Sequence, residues 1–484
     1  MTKRLILQVS ACACLALILS LETVPLYAQA PALAEAPAPT RYAPAIQFAR
    51  TLMQAMMEES GTPGMSVAVG IDGEVVWSEG FGFADVENRA PVWEETKFRI
   101  GSVSKSMTAA AVGLLYEQGL LDLDAPVQRY VPSFPEKRWP ITTRLLAGHL
   151  AGVRHYRDEE SQTLSKRYST VLEGLEIFQD DTLLFEPGTQ YSYSSYGWNL
   201  ISAVVEGASG ESFLAYMREH VFEPLGLHHT VADHTDSIIP HRTRLYERTE
   251  DGLVLNAPYV DNSYKWAGGG FISTPEDLVR FGMAHLGDEL LKRETIELLW
   301  TSQRTHDGEQ TGYGIGWRVD RDGGRVSQAH HSGGSVGGTT FLLILPQERA
   351  VAAMVGNMSR APTGWAPTLM ILEAFLVPEA LTVEASGPDV TGIYECSARF
   401  PDDEVANGTV EIRGSPAGYW GREVWEDESG RILYSSSRRE ATALISVDQD
   451  GRLSRTRFTS VERNRLVGER IRGGRSGEVS CSRQ

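Results

Sequence analysis

The chain is short of cysteine and of positive charge, and each shortage excludes a class of function. Four cysteines in 484 residues cannot build a disulfide scaffold or a zinc cluster. Cys12 and Cys14 sit near the N-terminus, which leaves Cys396 and Cys481 either to form one disulfide tying down the C-terminus or to remain two thiols. Lysine and arginine together number 45 against 63 aspartates and glutamates, a net charge of -18, and only seven of the cations are lysines. A surface of that sign repels phosphate backbones and anionic lipid, so nucleic acid is not an expected partner. The biases of collagen, disordered and polytopic membrane chains are absent too. What is present, 42% hydrophobic residues, is enough for a large core, and the length suggests about three structural units.

Residues 1–30 carry Lys3 and Arg4, then an apolar run from Leu5 to Leu21, then Tyr27-Ala28-Gln29-Ala30. That order predicts a secretory signal peptide cleaved after Ala30. The run includes Gln8 and Ser10 and falls short of the ~20 apolar residues of a spanning helix, so no membrane anchor is expected after cleavage. The expected location is periplasmic or secreted. Residues 31–44 read as an Ala/Pro linker.

From residue 45 the pattern is that of a folded body. Ile46, Ala49, Leu52, Met53 and Met56 recur at helical spacing and predict an amphipathic helix. Ser66–Ile71 and Glu74–Ser78 flank Asp72-Gly73, a hairpin signal, so the sheet is at least partly antiparallel. A long alanine-rich helix is predicted from Ser102 to a stop at Gly119. Residues 121–276 read as a mostly helical insertion, strands return between Gly324 and Val355, and a helix over 366–376 closes a unit spanning 45–378. Residues 387–484 change character: GTVEIRG, ATALISVD and RTRFTSVE alternate between turn residues, which predicts a separate small β-domain.

Three segments carry chemistry. Ser102-Val103-Ser104-Lys105 places a hydroxyl and an amine three residues apart, on one face at a helix start. Serine is a weak nucleophile without an adjacent base, and a lysine kept neutral by desolvation is one. The helix N-terminus adds N–H groups where an oxyanion would form. Tyr193, in FEPGTQYSYSSYGWN, is a phenol able to relay a proton to a leaving group. His331-Ser332-Gly333-Gly334 ends a predicted strand whose glycines admit a substrate close to the backbone.

These segments, with GLLDLDAPVQRYVP (119–132), ITTRLLAGHLAGVRHY (141–156), FEPLGL (222–227), AGGGFISTPEDLVRF (267–281) and GYGIGW (312–317), resemble the serine β-lactamase and penicillin-binding-protein superfamily. The likeness is to its class C β-lactamase-like branch, with D-aminopeptidase, esterase and LACTB-type serine peptidase members. The resemblance implies an α/β (α+β) fold, an antiparallel sheet flanked by helices with a mostly helical subdomain, and a barrel-like C-terminal domain. It implies Ser102 as acylated nucleophile, Lys105 as its base and Tyr193 as proton relay. Backbone N–H groups of Ser102 and Gly334 would form the oxyanion hole, with His331, Ser332 and Gly333 lining the substrate edge. Two positions depart from the β-lactamase pattern: Ser195 stands where an Asn would touch the substrate, and His331 where a Lys would meet its carboxylate. The expected substrate is therefore a small molecule or peptide with an amide or ester bond, peptidase-like or esterase-like, with β-lactam hydrolysis possible. No metal or organic cofactor is implied, and the oligomeric state is not specified.

Rival readings are a catalytically silent protein that holds peptidoglycan or a partner on the same fold, and two others carried by local motifs. Gly333-Gly334-Ser335-Val336-Gly337 matches the G-x-S-x-G elbow, which requires a strand followed by a helix. His228, His229, Asp233 and His234 would be the ligands of a metal-dependent hydrolase, although their spacing fits no recognised ligand motif.

Overall fold

Alternation of side chains along the strands decides how the sheet is covered. In the computed structural model, which describes residues 40–157, 165–378, 391–401, 404–415, 418–425, 431–435, 443–447, 453–462, 464–472 and 475–484, a seven-stranded sheet organises the larger unit. The expected signal peptide, and the linker up to residue 39, lie outside the described residues. The strands are β1 (Gly64–Ile71), β2 (Glu74–Asp85), β3 (Ala90–Pro91), β4 (Arg318–Asp322), β5 (Arg325–Ser335), β6 (Gly338–Leu345) and β7 (Ala350–Gly356). Their spatial order is β3-β2-β1-β7-β6-β5-β4, and every pairing is antiparallel.

Both faces of this sheet are buried, so its central strands read as nearly continuous apolar runs. Val67, Val69, Leu343, Ala352 and Met354 point to one side, where they pack with helices α1 (Ala43–Ser60) and Trp365–Leu376. Ala68, Leu342, Ile344, Val351 and Val355 point to the other, toward helices α2 (Val103–Glu117) and Pro275–Ala284. Each such Val, Leu or Ile contributes about 1.5–3 kcal/mol by leaving water. Helix Pro275–Ala284 starts on a built signal: Thr274 accepts from the Asp277 N–H, and Pro275 follows at a position where no N–H is needed. It lies so close to the sheet that a Cβ on Gly70 would meet Val279 at 2.6 Å.

The insertion between α2 and helix Pro275–Ala284 is led by α3 (Ser195–Ser209), capped by the Ser194 side chain and ended by Gly210 in the left-handed region. It is less purely helical than its sequence suggests. Val231–Ala232 and Phe271–Ser273 join Phe98–Arg99 in a three-stranded sheet, and Tyr246–Arg248 pairs with Val254–Asn256. Strands of two or three residues are too short to show a period of two.

The C-terminal unit is a closed eight-stranded barrel running from Gly392–Arg399 to Arg475–Arg483. Its first and last strands pair, and the register sets Cys396 opposite Cys481, which are joined by a disulfide. Tyr394, Ala398, Val410, Ile412, Trp425 and Leu466 fill its interior. Strands Gly418–Trp425 and Arg431–Ser435 run beside α1, on the sheet face away from Ser102.

Candidate active site

Ser102 sits at the N-cap of α2, half-buried, one residue after Gly101, whose φ of 48° turns the chain into the helix. One turn on, the Lys105 side chain is fully enclosed. Its Nζ lies 2.9 Å from Ser102 Oγ, 2.9 Å from Ser195 Oγ and 2.6 Å from the Gly268 carbonyl oxygen. Burial pushes this amine well below the usual lysine range, and the positive charge of Lys265 pushes the same way. A neutral amine has two N–H donors and one lone pair. In that neutral form the Gly268 carbonyl, which can only accept, takes one N–H and Ser195 Oγ the other, and the lone pair is left for the Ser102 hydroxyl.

Tyr193 completes the group. The Ser102 side chain favours the ionised form of its hydroxyl, but burial outweighs it and holds the phenol protonated, far above the usual tyrosine range. The loop HLAGVRHY fixes it from behind. His149 Nδ1 accepts from the Ser194 N–H at 3.1 Å, the Arg154 carbonyl accepts from Ser194 Oγ at 2.7 Å, and His155 Nδ1 accepts from the Ser195 N–H at 3.1 Å. The His149 ring also lies 4.2 Å from that of Tyr193, centroid to centroid, and 4.5 Å from that of Tyr313. Burial lowers both histidines, His155 to about 4, so they act as neutral acceptors.

The opposite wall is the end of β5. The last pair between β5 and β4 is His330 with Arg318, so beyond it one edge of β5 has no neighbouring strand. The hairpin to β6 closes on Ser335 and Gly338, and alternation along an antiparallel ladder then turns the Gly334 N–H toward that open edge. Gly101 lies there: a Cβ on it would be 2.7 Å from Gly334 N. A Cβ on Gly333 would come within 2.0 Å of the Ile100 carbonyl oxygen, so only glycine lets the strand approach the nucleophile this closely. Among the described residues no acceptor meets the Ser102 N–H. The N–H groups of Ser102 and Gly334 can thus converge on one oxygen.

The strand's side chains divide by alternation. Ser332 and Gly334 are exposed, while His331 is buried. His331 Nδ1 donates to the Ser332 carbonyl at 2.6 Å, and Nε2 accepts from the Tyr313 hydroxyl at 2.8 Å. Burial lowers it to about 3, so it offers no positive charge to a carboxylate. Ser195 likewise lies beneath the lysine, 2% exposed, and serves Lys105.

Two cations near the site carry no motif of their own in the sequence. Arg318, exposed at the start of β4, has its guanidinium carbon 5.8 Å from the Tyr313 ring centroid. Its charge bears on Tyr191, Tyr193, His149 and His331 alike, and it makes no ion pair among the described residues. Lys265 is buried behind the site. They fall one residue after GYGIGW and two before AGGGF, just outside the segments that stood out.

The local rivals lose their context. Ser335 is followed by a two-residue turn and β6, not by a helix. Asp233 is bound by Arg99 at 2.7 Å and Arg242 at 3.3 Å, and His229 Nδ1 lies 3.3 Å from Lys97 Nζ, so that set does not converge on a metal position.

An enclosed sheet-and-helix unit with a serine at a helix start, a dry lysine one turn later and two convergent N–H groups defines a serine hydrolase of the S-x-x-K kind. The Beta-lactamase family model matches residues 49–366, and the chain belongs to that family. It is 36% identical to the mitochondrial serine beta-lactamase-like protein LACTB of Bos taurus, over 66% of this chain and 75% of that protein. It is 28% identical to the D-aminopeptidase of Gluconobacter oxydans, over 63% of this chain and 58% of that protein. Among solved structures, the octameric penicillin-binding protein homologue from Pyrococcus abyssi shares the fold at a TM-score of 0.59 and 22% identity, covering 90% of this chain and 99% of that one.

Proposed function

We propose that the protein is an exported hydrolase that forms an acyl-enzyme on Ser102 with small amides or esters carrying a carboxylate beside the scissile bond. The observation that carries this reading is the Lys105 amine, fully enclosed, with its Nζ 2.9 Å from Ser102 Oγ and held by Ser195 Oγ and the Gly268 carbonyl.

Ser102 Oγ attacks the substrate carbonyl carbon as its proton passes to Lys105, and the new oxyanion takes N–H bonds from Ser102 and Gly334. The C–N or C–O bond then breaks as Tyr193, recharged from Lys105, protonates the leaving group. Water, deprotonated by the same pair, cleaves the Ser102 ester and restores the enzyme. His331 is neutral, so the exposed guanidinium of Arg318 is the cation left to meet a substrate carboxylate. A peptide C-terminus and a β-lactam both offer one; the D-aminopeptidase relative favours peptides.

Intact mass after exposure to a fluorophosphonate tests the reading. An adduct on the wild type that Ser102→Ala abolishes is the expected result. Equal adducts on both would move the nucleophile elsewhere, and none on either would favour the silent binding protein.

A further inference from the structure

We infer that Lys265 is a positioning residue for the Ser102–Lys105 pair: a second buried amine that carries the site's positive charge so that Lys105 stays neutral and able to act as base. The inference rests on the acyl-enzyme reading above. Lys265 ends the 3-10 turn Asn262–Lys265, and the next turn, Trp266–Gly269, supplies the Gly268 carbonyl that holds Lys105. Its Nζ lies 5.4 Å from the ring centroid of Tyr264 and 5.7 Å from that of Tyr156. Ser195 and Tyr264 are the polar side chains that bear on the Tyr156 hydroxyl, and Ser195 is the other acceptor of Lys105. Both groups that orient the Lys105 lone pair are therefore tied to the turn or the rings around Lys265.

The charges facing Lys265 come from several elements. Arg99 repels it and Asp233 attracts it, but Asp233 is already held by Arg99, Arg242 and Asn262. His155 and Lys105 feel its charge in turn. No ion pair to Lys265 occurs among the described residues, and its environment is two aromatic faces, which favour a cation. Two ammonium groups in one dry pocket cannot both persist, so the proton goes to the better host. Burial lowers both amines, Lys265 to about 7.

The experiment is the pH dependence of p-nitrophenyl acetate burst kinetics in wild type, Lys265→Met and Lys265→Arg. Without the neighbouring charge Lys105 keeps its proton to higher pH. The Met variant should shift the acid limb up by about one unit, lose about tenfold in burst rate on the limb, and recover as pH rises. Arg, charged at every pH, should keep the limb at or below its wild-type position. Superimposable limbs in all three proteins would overturn the inference, as would an equal, pH-independent loss in both variants, the mark of a packing role. Should Met not fold by circular dichroism, Lys265→Gln takes its place with the same expectation. A wild type that forms no Ser102 adduct fails earlier, and removes the acyl-enzyme reading itself.

Discussion

The unit that carries Ser102 and the C-terminal barrel treat burial in opposite ways. The first is large, with both faces of its sheet covered, and it holds three buried lysines, Lys97, Lys105 and Lys265, with no carboxylate ion-paired to any of them among the described residues. The barrel is small, and its described core consists of apolar and aromatic side chains and the cystine, with one buried arginine lying 4.1 Å over the Trp425 ring. A large core has stability to lose, and the site uses it by keeping amines dry; a small one needs a cross-link. Function and stability should therefore separate along the chain.

Lys105→Met tests the contrast hardest. Loss of the base should slow acylation of Ser102 by about 10²–10⁴-fold, read as the burst rate on an activated ester. Stability should move the other way. An amine whose folded pKa lies below its unfolded value must lose its proton on folding, so it destabilises the protein at every pH below about 10.5. Urea denaturation should find the Met variant at least as stable as wild type at pH 7, with the difference shrinking as pH rises toward 10 and the wild type catches up. A marked destabilisation would mean that the three Lys105 hydrogen bonds outweigh its desolvation, and the contrast between the two units would fail. For the wild type, acylation should rise with pH through the Lys105 pKa and stay level above it.

Arg318→Gln sharpens the comparison within the catalytic unit. This cation is exposed and makes no ion pair among the described residues, so its removal should leave the melting curve unchanged. A charge-assisted bond to a carboxylate is worth about 1.5–3 kcal/mol, so preference for a peptide acid over its methyl ester should fall about 10- to 100-fold in kcat/KM. An unchanged preference would place the substrate's charge elsewhere.

How much of this could be read from the residues depended on what each signal required. The Asp72-Gly73 hairpin and the α2 helix ending near Gly119 are local, and the chain states them plainly. Ser102, Lys105 and Tyr193 were legible because the first two share one helical turn and the third sits in a distinctive segment. The inward turn of Ser195 and His331 was not legible, since it depends on where the first turn of α3 meets Lys105 and on Tyr313 lying beneath β5. Lys265 carried a faint signal: in a chain with seven lysines, one stands among Tyr264, Trp266 and a run of glycines. Arg318 carried none, because its place beside the site comes from β4 pairing with β5.

The disulfide tests the other half of the contrast, with the smallest expected effect on chemistry. Cys396 and Cys481 join the first and last barrel strands and close a loop with a sequence separation of 85. Removing that constraint from the unfolded chain's alternatives should cost the barrel about 2–4 kcal/mol, on the order of 10 °C in its melting transition. The site lies across the sheet from the barrel's contacts with α1, so a Cys396→Ser, Cys481→Ser double variant should acylate at a rate within about twofold of wild type while its barrel melts early. Two calorimetric transitions, only the barrel's moved, would show the units to be separately stable. A single shared transition, or acylation lost along with the disulfide, would show that the barrel supports the site through α1 and that the division of labour drawn from burial is not a division of stability.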